Sequence, residues 1–284
     1  MPFLFWYTEY GYFNNKVPKL MDMSFGGNWT QEKLLRVGKY LSAYTKILSK
    51  TQFTYAYIDA FAGTGYQTIR TEENPNQPLF QELTEDEPKR FLDGSARIAL
   101  QVESRFKRYI FIEQDTHRFA QLSNLRANFP DKAKDIILIN GDANETLQDL
   151  CDKNWEKHRA VLFLDPFGMQ VKWETITSIA RTQAIDLWYL FPMGIGVNRL
   201  MVRDGNISPH WRQRLDETFG ESSWSDVFYK TYVEQNLFGE TEEKIVKVGG
   251  FEEIGQYVIK RLRSVFAEVA GNPLFLYNSR NNPL

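Results

Sequence analysis

The sequence predicts an α/β fold whose mostly parallel sheet is covered by helices on both faces. Short apolar runs separated by segments of helix length carry this prediction. The runs do not alternate cleanly between apolar and polar residues, which is typical of strands buried on both faces. A glycine-bearing turn after the first run, and an acidic residue after four of the runs, support the same fold. The predicted strands are residues 54–59, 109–112, 136–139, 160–164 and 185–191.

The turn after the first run is the segment most informative about function. Residues 55–65 read YAYIDAFAGTG, so Asp59 closes the strand, and Gly63 and Gly65 follow it. This is the position of the cofactor loop in a Rossmann-type sheet. A dinucleotide-binding loop would carry a third glycine, and Thr68 stands there instead. A dinucleotide also needs helix N-terminal amides for its pyrophosphate. S-adenosylmethionine (SAM) has no phosphate, and its ammonium group suits a nearby acid.

Composition indicates an ordinary globular protein. The chain has 284 residues, 43% hydrophobic and 25% charged, with a formal net charge of -2, so we expect one α/β domain with additions. Cys151 is the only cysteine, which excludes an internal disulfide, and the three histidines are too scattered to predict a metal site. We find no signal peptide and no apolar run of membrane-spanning length. The expectation is therefore a cytoplasmic protein with no membrane association.

We expect a single domain over residues 1–284. Residues 1–50 form a helical N-terminal extension in this interpretation, with a helix over 31–49 that Thr30 caps. Residues 66–92 are an acidic, proline-bearing insertion, and residues 194–250 form a cap over the substrate. The remaining predicted elements are helices at about 95–106, 116–128, 144–152, 173–181 and 254–269, and a last strand at 273–277.

Acidic residues follow the predicted strands in an order that favours SAM. Ligands of open α/β sheets bind outside the carboxyl ends of the strands. Glu113 follows the second strand, where a carboxylate can hold both ribose hydroxyls, and Asp142 follows the third, where it can accept the adenine amino group. A single such acid is more often a solvated cap, but four in sequence predict a cofactor site. The cofactor-binding candidates are Asp59, Phe61, Gly63, Gly65, Ser95, Glu113, Asp142 and Ala143.

Ser95 is a candidate because of the spacing between the loop and Glu113. The Rossmann fingerprint places the ribose acid about 20 residues after the glycines, and here the insertion lengthens that interval. We therefore expect the first crossover helix to begin at Gly94-Ser95, with Ser95 as its cap. The N-terminus of that helix would then lie near the methionine tail.

The segment Asp165-Pro166-Phe167-Gly168 ends the fourth strand, where the methyl acceptor is expected. Methyltransferases of exocyclic base amines often carry Asp/Asn-Pro-Pro-aromatic here. The acid and the first proline carbonyl accept the amine protons, and the aromatic ring stacks on the base. This chain keeps Asp165 and Pro166 but has Phe167 in place of the second proline. An ordinary strand-terminal turn is the alternative, since Asp-Pro often starts turns. Asp165, Pro166 and Phe167 are the catalytic candidates.

A basic cluster after the fifth strand is the candidate substrate-binding surface. It contains Arg199, Arg203, Arg212 and Arg214, with Trp211 among them. Cations interleaved with an aromatic residue suit a phosphate backbone and stacked bases. A solvated helix face is the alternative interpretation.

Taken together, several of these segments resemble the three-Cys-motif partner family, named for a neighbouring radical-SAM-like protein with three cysteines. The resemblance rests on residues 26–34, 39–44, 59–65, 93–96, 111–113, 164–168 and 197–199. It implies a Rossmann-like class I methyltransferase fold, a three-layer sandwich, and a radical-SAM-like partner. Such folds finish with an antiparallel hairpin of two strands. Here only residues 273–277 are expected, so the C-terminal hairpin would be incomplete. We expect a soft sheet edge there, or a homodimer built on it.

The sequence thus predicts a SAM-dependent methyltransferase that acts on nucleic acid, at an exocyclic amine of a base. A methyltransferase of proteins or small molecules is one alternative, favoured by the weak net charge and opposed by the basic cluster. A catalytically silent SAM-binding adaptor for the radical-SAM-like partner is the other.

Overall fold

The structure of the protein is a computed structural model that describes residues 3–5, 28–64, 94–166, 168–235, 240–271 and 274–275. The predicted insertion at 66–92 lies outside these residues, and so do Gly65 and Phe167. Within the described parts of the chain, no helix is long and apolar enough to cross a membrane.

One seven-stranded sheet forms the centre of the protein. The five predicted apolar runs all become strands, and they pair with one another in parallel. The strands are β1 (Phe3–Phe5), β2 (Thr54–Asp59), β3 (Arg108–Glu113), β4 (Ile136–Asn140), β5 (His158–Leu164), β6 (Ile185–Leu190) and β9 (Leu274–Phe275). Their order across the sheet is β4-β3-β2-β5-β6-β1-β9, so the order reverses beside the central strand β2. This arrangement confirms the predicted Rossmann-like fold.

Helices cover both faces of the sheet, largely where the sequence predicts them. They are α1 (Asn28–Leu48), α2 (94–101), α3 (Thr116–Leu122), α4 (Leu125–Asn128), α5 (Ala143–Cys151), α6 (Trp173–Arg181), α7 (Pro209–Phe219), α8 (Trp224–Phe228) and α9 (Phe251–Arg263).

Several predicted helix boundaries are wrong. The first helix begins at Asn28, so Thr30 lies inside it and is not its cap. Ser95 lies in the first turn of α2, also inside the helix. The predicted helix 116–128 divides at Ser123, and α9 runs from Phe251 to Arg263 instead of 254–269.

The sheet separates two hydrophobic cores, because alternate residues of each strand point to opposite faces. On β2, Ile58 packs in the core shared with α5, α6 and α9, while Tyr57 packs in the core shared with α1 and α2. The second core is aromatic around Phe106, whose ring lies 5.9 Å from that of Tyr57 and 6.1 Å from that of Tyr44. Both faces are therefore dry, and ligands can reach the sheet only at the strand ends.

The region predicted as a cap, residues 194–250, contains three kinds of structure. A short π-helix, Met193–Asn198, follows β6, and α7 and α8 come next. An antiparallel hairpin of β7 (Tyr229–Gln235) and β8 (Thr241–Lys247) then forms a separate two-stranded sheet. Its base rests on the loop after the π-helix. There, a Cβ on Gly205 would come within 2.5 Å of the Ile245 side chain, and Gly205 also has a positive φ of 71°.

The edge of the sheet next to β6 is filled from the N-terminus of the chain. Strand β1 lies between β6 and β9 and is antiparallel to both, with Leu4 opposite Leu190 on one side and opposite Leu274 on the other. The expected single C-terminal strand is present as β9. The expectation that β6 lacks a neighbour on this side is wrong, because β1 occupies the position that the return strand of the hairpin would take. Strand β6 therefore has a neighbour on each side.

This topology predicts that β1 stabilises the whole sheet edge. Because β1 has a strand on each side, the Leu4 amide faces a strand whichever way it points, and Leu4→Pro removes a ladder hydrogen bond. We expect the free energy of unfolding to fall by at least about 1 kcal/mol, with faster amide exchange at Tyr189 and Leu190. Urea unfolding and hydrogen exchange measure both. Leu4→Val keeps the amide and is the control; equal stability of the two variants would contradict the placement of β1.

Candidate functional site

Three buried carboxylates meet at the carboxyl end of the sheet. Asp59 ends β2, Glu113 ends β3 and Asp165 follows β5, and these three strands are adjacent and parallel. The exposed fractions are 0% for Asp59, 5% for Glu113 and 7% for Asp165. Acids are rarely buried without compensating partners. Three of the four predicted strand-end acids therefore lie close together beneath the glycine turn.

Asp59 connects the end of β2 to the start of α2. The Ser95 hydroxyl donates to its Oδ2 at 2.7 Å, and the Phe61 amide donates to its Oδ1 at 3.3 Å. Burial raises the pKa of Asp59 to about 7, against the opposing effect of these two hydrogen bonds, and the charges of Asp165 and Glu113 raise it further. Of the candidate residues, Ser95 and Phe61 thus both contact the Asp59 carboxylate.

Glu113 holds the glycine turn against β3. Its Oε2 accepts the Gly63 amide at 2.9 Å, while its Oε1 accepts the Asp115 amide at 2.8 Å and the Arg118 guanidinium at 2.8 and 3.1 Å. Gly63 has a φ of 59°, a left-handed conformation that glycine adopts at little cost. A carboxylate has about four acceptor sites, so Oε2 keeps acceptor capacity beyond the Gly63 amide. Ribose binding by Glu113 stays a prediction.

Asp142 caps α5. Its Oδ1 accepts the amides of Asn144 at 2.8 Å and Glu145 at 3.1 Å, which satisfies two donors of the first helical turn. Ala143 is the first residue of α5 and is buried. The cap alone explains an acid at this position, so contact of Asp142 and Ala143 with adenine also stays a prediction.

Asn144 is a buried polar residue that the sequence analysis missed. Its side-chain amide donates to the Gln170 carbonyl at 2.9 Å, and its Oδ1 accepts the Lys172 amide at 3.0 Å and the Thr175 hydroxyl at 2.8 Å. It thereby joins the start of α5 to the segment that follows Asp165-Pro166. No sequence signal marks an asparagine in the first turn of a helix as the anchor of a loop nearly 30 residues away.

The proposed acceptor side consists of the turn after β5 and the π-helix after β6. Asp165 and Pro166 are both buried, and Gly168 takes a positive φ of 74°. A Cβ on Gly196 would come within 2.9 Å of the Met169 side chain, so this glycine lets the π-helix approach the turn. π-Helical turns are rare and are frequent at functional sites. Phe167, the third catalytic candidate, lies outside the described residues.

The four arginines of the basic cluster lie in two different settings. Arg199 and Arg203 are exposed near the π-helix, and Lys247 of the hairpin donates to Asn198 Oδ1 at 2.7 Å beside them. On α7, the Arg212 guanidinium lies 5.4 Å from the Trp224 ring, and Arg214 lies 3.7 Å from Glu217. The structure does not test their role in substrate binding.

The described residues hold no group of three or more His, Cys, Asp or Glu that would suit a metal ion. A cavity of about 510 Å³ lies between the C-terminal ends of α5 and α6, where Cys151, Trp155, Arg159 and Arg181 contribute to its wall. Because this is the amino end of β5 and β6, the cavity is separate from the carboxylate site. Burial raises the pKa of Cys151 to about 12, so its thiol is not a ready nucleophile.

Comparison with known proteins finds similarity only at the level of fold. No family model and no curated protein matches the chain. LPL1258 from Legionella pneumophila is 16% identical, with 88% of this chain and 96% of that chain covered and a TM-score of 0.39. A candidate rRNA methylase from Clostridium thermocellum is 9% identical, with 80% of this chain and 99% of that chain covered and a TM-score of 0.29. Spermidine synthase from Thermotoga maritima is 12% identical, with 90% of this chain and 69% of that chain covered and a TM-score of 0.30. Scores this low carry no argument about function.

The raised pKa of Asp59 predicts a pH dependence of stability. In the folded state Asp59 keeps its proton up to about pH 7, whereas its ordinary pKa is 3.8. The folded state therefore binds more protons between these values, so the contribution of Asp59 is fully present below about pH 4 and is lost as pH rises through about 7. Asp59→Asn imitates the protonated carboxyl and should remove this loss.

The measurement is urea unfolding of both proteins from about pH 4 to about pH 8. We expect the stability of Asp59→Asn relative to the parent protein to increase with pH across this range. Asp131→Asn makes the same chemical change at an exposed site and should run parallel to the parent. Parallel curves for Asp59→Asn as well would show that the folded carboxyl titrates normally.

Proposed function

We propose that the protein is a SAM-dependent methyltransferase. The observation that carries this proposal is the convergence of Asp59, Glu113 and Asp165 at the carboxyl ends of adjacent strands, beside the turn at Gly63. An anionic, largely dehydrated site favours a ligand that carries positive charge. SAM has both an ammonium and a sulfonium, whereas a dinucleotide would bring a pyrophosphate against these acids. The Rossmann-like fold supports the same choice.

The residues that would hold SAM have distinct tasks in this proposal. Asp59 is fully buried and keeps its proton up to about pH 7, so in the free protein it fixes the Phe61 amide, and a bound ammonium would favour its charged form. Glu113 holds the Gly63 turn in place and offers its Oε2 to the ribose. Asp142 and the Ala143 amide, at the start of α5, face the adenine. When bound, SAM supplies the electrophilic methyl group.

Asp165 and Pro166 would orient the acceptor. A carboxylate and the proline carbonyl that accept hydrogen bonds from the N–H groups of an exocyclic amine would align the nitrogen lone pair with the methyl group, and such orientation lowers the barrier. Asn144 supports this geometry, because it fixes the segment 170–172 that leads from the acceptor turn to α6. The predicted stacking by Phe167 completes the proposal.

Nucleic acid is the acceptor class we favour, because Arg199 and Arg203 are exposed beside the π-helix at the same end of the sheet. A protein or small-molecule acceptor is the second candidate. Arg212 already contacts Trp224 and Arg214 already contacts Glu217, so these two arginines are engaged within the protein. A silent adaptor for a radical-SAM-like partner would bind SAM without transferring its methyl group, and the same assays distinguish it.

SAM affinity should depend on the acids at the strand ends. We expect Asp59→Ala and Glu113→Gln each to weaken binding at least tenfold, about 1.4 kcal/mol, because each loses a charge-assisted interaction with the cationic ligand or the turn. Isothermal titration calorimetry measures the affinity. Asp149→Asn, on the exposed side of α5, is the control and should bind like the parent protein. Unchanged affinity in both strand-end variants would refute the SAM site.

Methyl transfer should depend on Asp165 more than SAM binding does. We expect Asp165→Ala to abolish transfer while SAM affinity stays within about threefold, which is the pattern of lost orientation. The assay incubates labelled SAM with total RNA, DNA, protein and metabolite fractions, so that it also identifies the acceptor class. If Asp165→Ala loses SAM binding as severely as Asp59→Ala, Asp165 belongs to the cofactor site. Binding without transfer to any fraction would favour the adaptor.

A further inference from the structure

The base of the β7–β8 hairpin rests on the chain segment that follows the π-helix. The Tyr229 hydroxyl donates to the Val202 carbonyl at 2.8 Å, and the Lys247 amide donates to the Arg203 carbonyl at 2.9 Å. Tyr229 and Lys247 are paired in the ladder, so their side chains share the face that is turned toward this segment. The hairpin therefore brings Lys247 to the end of the π-helix, where it contacts Asn198, 49 residues away in sequence.

Lys247 is a half-buried cation that has no acidic partner within the described residues. Neither it nor the exposed Arg199 and Arg203 forms a salt bridge there. Burial lowers the pKa of Lys247, and the charge of Arg203 lowers it further. The next residue, Asp204, is exposed, and its carboxylate accepts an amide of its own turn. Positive charge is therefore gathered at this place at an electrostatic cost.

Fastening the hairpin does not require this charge. The two backbone-directed hydrogen bonds and the packing of Ile245 against Gly205 already hold the base of the hairpin in place. A neutral side chain at position 247 would avoid both the loss of hydration and the repulsion from Arg203. A partly dehydrated cation beside a second cation is instead typical of a site whose ligand supplies negative charge.

The same cations lie beside the proposed acceptor side. Asn198 is the last residue of the π-helix, and Gly196 of that helix lies against Met169, which follows the acceptor turn. The Lys247 ammonium contacts two acceptors, both of them on Asn198: its Oδ1 at 2.7 Å and its carbonyl oxygen at 3.5 Å. Donor capacity therefore remains on the ammonium for a ligand that reaches the end of the π-helix.

We infer that Lys247 and Arg203 together bind a backbone phosphate of the nucleic-acid acceptor, with Arg199 at the rim of this site. The choice of acceptor rests on the proposed function. A phosphate offers several acceptor oxygens, so it can accept from a lysine ammonium and from an arginine guanidinium at the same time. Because the site adjoins the acceptor turn, the bound phosphate belongs to the target nucleotide or to its direct neighbour.

The test measures how tightly the full-length protein binds labelled single-stranded RNA and DNA of mixed sequence, by fluorescence anisotropy in the absence of SAM. The variants are Lys247→Met and Arg203→Met. For each we expect the slope of log affinity against log salt to fall by about 0.7, the value for one phosphate on a single strand. Binding should then be about fivefold weaker than that of the parent at about 0.1 M salt and equal to it at about 1 M.

Two further variants separate the phosphate site from a structural role of the lysine. Lys247→Arg keeps the charge and should keep the parent slope. Lys230→Met makes the same chemical change on the opposite, exposed face of the hairpin and should also keep it. Convergence of the affinities at high salt shows that the variant hairpins remain folded, which weaker binding alone would not establish.

Unchanged slopes in both Lys247→Met and Arg203→Met would overturn the inference, and so would an equal loss in Lys230→Met. A parent protein that binds neither oligonucleotide, or that binds polyglutamate more tightly than both, would overturn it in favour of a small-molecule or an acidic protein acceptor. Because SAM is absent from these measurements, their failure leaves the calorimetric test of the SAM site standing. Failure of the SAM site likewise leaves the salt dependence of phosphate binding to be measured by itself.

Discussion

The parallel pairing of β2 with both β3 and β5 is the arrangement on which the candidate site depends. It places the ends of three strands side by side, with Asp59 in register with Phe111 on one neighbour and Phe163 on the other. Acids that lie 50 to more than 100 residues apart in sequence therefore share one small volume. No other segment of the described chain gathers buried charge of one sign in this way, and the turn at Gly63, the start of α2 and the acceptor turn all contact this volume.

Burying these acids close together lowers the stability of the fold, and the surrounding hydrogen bonds offset only part of that loss. Ser95 and the Phe61 amide stabilise the charged form of Asp59, yet its pKa still rises to about 7. The same burial, together with the Asp59 charge, raises the pKa of the Tyr57 phenol beneath it. A site optimised for stability alone would hold apolar residues here. Retaining carboxylates at a stability cost is typical of sites whose ligand supplies the compensating charge, which is why the proposed ligand is cationic.

The sequence predicted the features that depend on local pattern. The five parallel strands lie where continuous apolar runs predict them, and α6 lies where the segment of helix length between two runs predicts it. The strand-end acids followed from counting residues after each strand. Strand β1 did not follow, since three residues among aromatic neighbours have no readable period and their partners are almost 190 and 270 residues away. Asn144, the π-helix and the Glu113–Gly63 hydrogen bond also depend on tertiary contacts that no local pattern encodes.

Ser95 lies where the sequence predicts it, but its role in the structure is different. The length of the insertion predicted that Ser95 lies beside the cofactor loop. It was predicted there as a helix cap, in a role that leaves the helix amides available to the methionine tail. In the structure Ser95 is fully buried and its hydroxyl is committed to Asp59. The Ser95 hydroxyl therefore fixes the position of the Asp59 carboxyl and favours its charged form. The charge of Asp59 in turn acts on the neighbouring turn at Gly63. The start of α2 thus influences the site through two buried side chains, Ser95 and Asp59.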